Sequence, residues 1–274
     1  VNENITYIGL LADAEIELDS AALALSGLDH EGVDLDPYLD LLRTISAAVD
    51  AERQDAGEAT LDSGEAQGAL LSRVLGAQFD FAGDTATYDA PLNADMIRVL
   101  DRRRGLPVSL SILYVAAARR MGWTAHALNT PGHVLVSIGP EGREAVIDPF
   151  NRGALVHPEQ LSALPAQASD ALPQAGHEHL EPMSNRMTLV RMLLNQSLRA
   201  EQAGDSWRAC MLYERMTVIA PEHDAGWWAL ARLQLVHGKV EAARASLTAM
   251  LEINREPERR RYITQALDRL AGQS

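Results

Sequence analysis

One cysteine, Cys210, is the whole thiol complement of this 274-residue chain. A single thiol can neither close an internal disulfide nor build a multi-thiolate metal site, so a reducing, cytoplasmic setting is the simplest expectation. Lysine is as scarce. Lys239 is the only one, and nothing in the spacing demands that arginine carry the rest of the positive charge. No apolar run approaches the roughly 18 residues that a membrane span needs. No basic stretch leading into an apolar segment opens the sequence, so neither a membrane anchor nor a signal peptide is expected. The glycines are scattered, which argues against a phosphate-cradling loop. A basic face is missing as well: the net charge is −14. That balance excludes a general nucleic-acid binder, whose phosphate contacts need positive charge.

What is present is an ordinary globular balance, 47% hydrophobic and 23% charged. The length suits one large domain or two ordinary ones. Residues 1–60 hold 14 acidic and two basic side chains, so almost all of the net charge sits there. A solvated helical surface accounts for it, with an acidic face for a basic partner as the sharper alternative.

The first 60 residues read as helices. Both "IGLLADAEIELDSAALALSGL" and "DPYLDLLRTISAAVDAERQ" carry apolar residues at three- and four-residue spacing. Asp36-Pro37 is a helix start. Another helix is expected over 65–76, a loop over Phe79–Asn93, and a short helix in "ADMIRVLDRRRG". "LPVSLSILYVAAARRMG" is apolar on almost every side from Val108 to Ala118, which predicts a centrally buried helix ending at Gly122. "TAHALNT", "HVLVSI" and "EAVIDPF" follow as strands, the last two joined by a "GPEG" turn. Residues 154–182 read as a connecting segment over the surface.

From Met183 onward the pattern is helical and repeats. Gly204, Ala209 and Tyr213 recur as Gly238, Ala243 and Leu247, each 34 residues on. That offset is the period of the tetratricopeptide repeat. Two repeats are too few to stand alone. The expected organisation is therefore 1–182, a helical N-terminal region and core, and 183–274, a tetratricopeptide-like helical region.

The series "FDFAGD…YDAPLN…VLDRRRGLPVSLSILYVAAARRMG…PGHVLVSI…VIDPFNRG" resembles the SirB-like family of bacterial proteins, over nearly the whole chain. The resemblance implies an α+β, mostly α fold. Its transglutaminase-like, papain-like core would hold a small antiparallel sheet, and tetratricopeptide-type helices would follow. Such cores place a cysteine at the start of a buried helix, a histidine on the next strand and an aspartate on the one after. A helix N-terminus favours a thiolate, the histidine moves the proton, and the aspartate orients the ring.

In this chain His133 and Asp148 match the second and third members, while Pro107 stands at the cysteine position and Ser109 is the nearest hydroxyl. Three readings follow. The trio is a hydrogen-bonded relic, or Ser109 is a nucleophile activated by His133, or His133 and Asp148 line a pocket without covalent chemistry. A hydroxyl is a far poorer nucleophile than a thiolate unless a base and an oxyanion hole are well placed. Two residues along a helix also turn Ser109 by about 200° from the cysteine direction.

Weaker candidates are Arg102, Arg103 and Arg104, which read first as a solvated turn, with one of them binding an anion at the helix start or pairing with Asp101 as the alternative, and Asn151, which would cap a turn beside the site. His177-Glu178-His179 lacks a third ligand, so no metal is expected. No cofactor is implied. Cys210 reads as a small buried residue in a repeat helix. The reading as a whole is a cytoplasmic, non-catalytic protein with a protein or peptide partner. The alternative is a hydrolase or acyltransferase using Ser109, His133 and Asp148.

Overall fold

A computed structural model describes residues 3–57, 61–130, 132–157, 159–160 and 181–271. His177-Glu178-His179 lies outside them. The elements are mostly helices, in the order α1 (Glu3–Leu10), α2 (Leu18–Gly27), α3 (Asp36–Ala56), α4 (Gly64–Leu71), β1 (Ala82–Gly83), α5 (Met96–Arg102), β2 (Arg104–Gly105) and α6 (Pro107–Arg120). Strands β3 (Ala125–Thr130), β4 (His133–Ile138), β5 (Ala145–Asp148) and β6 (Ala154–Val156) follow. Then come α7 (Asn185–Gln202), α8 (Ser206–Ile219), α9 (Asp224–Val236), α10 (Val240–Ile253) and α11 (Pro257–Ala271). The chain divides into two compact units, Ala12–Leu189 and Val1–Leu11 with Val190–Ser274. No helix among the described residues is long and apolar enough to cross a membrane.

The larger unit is built on α6. Every residue from Pro107 to Ala118 is buried, as its unbroken apolar run predicts. Pro107 occupies the first helical turn, where a missing N–H costs nothing. At the other end Gly122, at φ 76°, closes a Schellman cap: the Trp123 N–H reaches the Ala118 carbonyl and the Gly122 N–H that of Arg119. Arg120 leaves the last turn to grip Asp19 of α2 in a two-pronged ion pair, at 2.6 and 2.7 Å. The Asp19 side chain is only 2% exposed, so its charge depends on that partner.

The main sheet is an antiparallel meander, β3-β4-β5-β6. Three of its strands follow the expected apolar segments. The fourth, β6, falls where a featureless connection is expected, because three residues are too few to show alternation. A second, two-stranded pairing joins β1, inside what reads as loop, in parallel to β2 at the end of the expected short helix. At one corner backbone meets backbone: a Cβ on Gly64 would lie 2.1 Å from the Ile138 carbonyl oxygen. Only glycine lets the start of α4 rest on the β4–β5 turn.

Two expected helices are altered. The first stretch breaks between α1 and α2, where the Asp13 carboxylate turns away to accept the Asn185 and Arg186 backbone N–H groups at 2.9 Å each. It caps a helix 172 residues further on. The segment after α4 continues not as α-helix but as a π-helical turn over Ser72–Gln78.

In the smaller unit Ile5 and Ile8 of α1 are fully buried, and a Cβ on Gly9 would strike the Val218 carbonyl of α8. Helices α8 and α10 begin 34 residues apart, each two residues after a left-handed glycine, Gly204 or Gly238. Ala209 and Ala243 are both fully buried. Ala231, Ala243, Leu247, Met250, Ile263 and Leu270 form a core against which Trp227 and Trp228 are half-buried.

Two substitutions probe the α6 packing. Asp19→Ala leaves Arg120 only the longer contacts to Glu17 and Ser46, at 3.7 and 3.4 Å, and lowers unfolding free energy by about 1.5–3 kcal/mol. The Tyr114 hydroxyl is buried with no hydrogen-bond partner among the described residues. Tyr114→Phe therefore leaves stability unchanged or raises it by about 1 kcal/mol. Urea titration of both variants checks the pair.

Candidate functional site

His133 opens β4 and Asp148 closes β5. The register pairs Val136 with Ile147, so alternation puts His133 and Asp148 on one face, a diagonal step apart. The His133 Nε2 atom lies 2.9 Å from Asp148 Oδ1. Asn151 donates its amide to Asp148 Oδ2 at 2.6 Å, and the Phe150 backbone N–H donates to Oδ1 at 3.0 Å. Asn151 thus reaches the carboxylate itself, a closer role than capping the turn.

Burial pushes the Asp148 carboxyl upward, but the donors from His133, Asn151 and Phe150 outweigh it and hold the group below the usual carboxylate range. An ionised carboxylate only accepts, so the proton on His133 sits on Nε2, and in the neutral ring Nδ1 keeps a free lone pair. The Phe150 ring meets His133 edge-on at 5.8 Å and Tyr88 at the same distance. Gly83 makes room for it: a Cβ there would sit 2.4 Å from the Phe150 ring.

Ser109 is not part of this cluster. Its hydroxyl, fully buried, donates to the Asn93 carbonyl at 3.0 Å and makes no hydrogen bond with His133. Asn93 is a node. Its carbonyl also takes the Leu106 N–H, its side-chain nitrogen reaches the Thr87 and Tyr88 carbonyls, and its side-chain oxygen accepts from Arg102. Arg102 also binds Asp84, whose carboxylate takes the Thr87 hydroxyl and N–H. Thr87 first, then Arg102, hold Asp84 far below the usual range against its burial. Ser109 therefore serves the loop that carries Tyr88.

The arginine cluster is likewise committed. Arg104 pairs with Asp80 at 3.0 Å, and Arg103 lies 5.0 Å over the Phe81 ring. Asp101 pairs with Arg98 and accepts from Tyr38. Cys210 is buried in α8, and burial raises its thiol, away from the reactive thiolate. No group of His, Cys, Asp and Glu that could hold a metal is found among the described residues.

One neighbour escapes sequence reading. Thr130 lies directly opposite His133 in the β3–β4 ladder and so shares its face. Its hydroxyl is buried, with no partner among the described residues. Its place beside His133 is legible only once the β3–β4 register is known. A second His–Asp contact, His30 Nε2 to Asp95 Oδ2 at 2.5 Å, involves the cap of α5. Such a pair alone therefore does not mark a site.

The lowered Asp148 has a linkage consequence. A carboxylate with a depressed folded value stabilises the fold above its unfolded value near 3.9, and the gain is lost as pH falls through the folded value. Asp148→Asn should cost about 1–2 kcal/mol at pH 7. The gap to wild type should close below about pH 4, as denaturation across pH will show.

Residues 37–194 match the transglutaminase-like superfamily. A UPF0162 protein of Xylella fastidiosa strain Temecula1 is 30% identical over 237 residues, covering 82% of this chain and 80% of its own. Another UPF0162 protein, from Vibrio cholerae, is 27% identical over 180 residues, 65% of this chain and 64% of its own. An 81-residue stretch is 36% identical to F-box only protein 21 of Mus musculus, covering 30% of this chain and 13% of that one. Among solved structures, menin aligns over 91% of this chain and 69% of its own, with TM-score 0.42 and 12% identity, too distant to support a conclusion. The matched span and the Xylella relative together show that the chain belongs to the transglutaminase-like superfamily and to its UPF0162 family of bacterial proteins.

Proposed function

We propose that this protein is a non-catalytic binder of a protein or peptide segment, in which the His133–Asp148 pair offers a hydrogen-bond acceptor rather than a catalytic base. The observation that carries this is the commitment of Ser109. Its hydroxyl is spent on the Asn93 carbonyl, inside the core. The start of α6 offers no thiol, and Cys210 sits in α8. What remains is an oriented imidazole whose Nδ1 accepts from a donor such as a peptide N–H. Thr130 lies across the ladder from it, its buried hydroxyl without a partner among the described residues. Tyr88 and Phe150 give the flanking apolar surface.

The SirB-like resemblance and the tetratricopeptide-type character of α7–α11 belong to the same proposal. The 34-residue step from α8 to α10, with equivalent buried alanines, supports the latter. The free, buried Cys210 is in keeping with a cytoplasmic setting. The serine-hydrolase reading would require Ser109 to leave Asn93 and reach His133.

Two experiments separate the readings. Incubation with glutamine-donor and general peptide substrates should give no turnover in wild type, Ser109→Ala, His133→Ala or Cys210→Ala. Turnover lost in both Ser109→Ala and His133→Ala would replace the binding role with the hydrolase. In a displayed peptide library, segments retained by wild type should bind about tenfold more weakly to His133→Ala. Thr130→Val should be no less stable, since the hydroxyl it removes has no partner among the described residues. Undiminished binding to His133→Ala would move the peptide site elsewhere.

A further inference from the structure

A cleft of about 470 Å³ opens in the larger unit, away from the His133 cluster, at the end of α6 and the start of β3. Its size falls in the range of small-molecule pockets. Arg119, Trp123, His126, Met183 and Asn185 line it, with Asp13 at its edge. Arg119 is the unusual member. Its guanidinium donates to the Ala125 carbonyl at 2.9 Å, to the Asn185 side-chain oxygen and to His126 Nδ1 at 3.2 Å. All three acceptors are neutral. Among the described residues no carboxylate lies within ion-pair distance of it, whereas Arg102, Arg104 and Arg120 each have one, and Arg103, which also lacks one, lies over the Phe81 ring instead. The nearest charge, Asp13, already spends both oxygens on the N–H groups of α7. Burial lowers the Arg119 pKa, the mark of a desolvated cation, and Asp13 only partly opposes this.

The donors around the cleft outnumber its acceptors. Arginine has five N–H groups, of which three are used, leaving two. Because a guanidinium only donates, His126 Nδ1 is an acceptor and its proton sits on Nε2, which has no partner among the described residues. Burial, then the Arg119 charge, lowers the His126 pKa and keeps the ring neutral at pH 7. The Trp123 indole N–H likewise makes no hydrogen bond among the described residues, and Trp123 and Met183 give the cleft apolar walls.

We infer that this cleft binds a carboxylate carried on an apolar, preferably aromatic, body, with Arg119 as its counter-ion and the His126 and Trp123 N–H groups as further donors. A monoanion fits a single cation with a carboxylate close by. A phosphate dianion would meet Asp13 unshielded.

The test is an NMR titration of the full chain, following the Trp123 indole N–H, assigned with Trp123→Phe. Benzoate should shift it saturably in about the millimolar range, while its neutral isostere benzamide and inorganic phosphate should not. A tetrapeptide ending in phenylalanine with a free carboxylate, against its amide, distinguishes a peptide terminus from a free acid. A response to benzoate alone assigns a small acid, and a response to the free peptide alone assigns a chain terminus. Arg119→Gln should weaken the responding probe at least about tenfold. Met183→Trp, which fills the cleft and leaves the Arg119 bonds intact, should abolish the shift even if Arg119→Gln does not fold. Equal shifts with benzamide, equal shifts with phosphate, or none with either carboxylate would overturn the inference.

Discussion

Three segments of the larger unit meet at Asn93, and the rest of the site depends on how that residue is satisfied. Its carbonyl receives the Leu106 N–H and the Ser109 hydroxyl, and its side chain ties the Tyr88 loop to Arg102. A buried amide and carbonyl left unpaired would each cost about 1–3 kcal/mol, so these bonds are not spare. Ser109 is among them, so the start of α6 contributes its hydroxyl to the core. The same bonds hold Tyr88 against Phe150, and Phe150 against His133. A requirement of the core thus sets both what surrounds the imidazole and what is kept from it.

The His133–Asp148 pair is independent of any nucleophile. Three donors keep Asp148 ionised in spite of its burial. An ionised Asp148 assigns the proton to Nε2 and leaves Nδ1 basic. That is the arrangement a proton-transferring triad needs, and equally the one a fixed hydrogen-bond acceptor needs. Thr130 shares the His133 face of the sheet, whereas the Ser109 hydroxyl is held by the Asn93 carbonyl.

Much of this was legible in the sequence where the physics is local. Strand alternation and the "IDPF" turn put His133 and Asp148 on neighbouring strands, and the unbroken apolar run marked α6 as central. The parts that were not legible depend on distant partners. Asp13 breaks the first helical stretch because it caps α7, and no pattern around residue 13 signals that. Arg102 and Arg104 find Asp84 and Asp80 rather than the adjacent Asp101, because β1 and β2 pair across what reads as loop. Thr130 acquires meaning only through its register with His133. The cation at Arg119 stands out only once its three acceptors are seen to be neutral.

The claim that Ser109 is withheld from chemistry is open to a direct measurement. Intact-mass spectrometry after exposure to a fluorophosphonate, which phosphonylates an activated serine with loss of fluoride, reads whether such a serine exists. Wild type and Ser109→Ala should each keep their own unmodified mass, with no adduct on either. A stoichiometric adduct mapped to Ser109, and absent from His133→Ala, would contradict it.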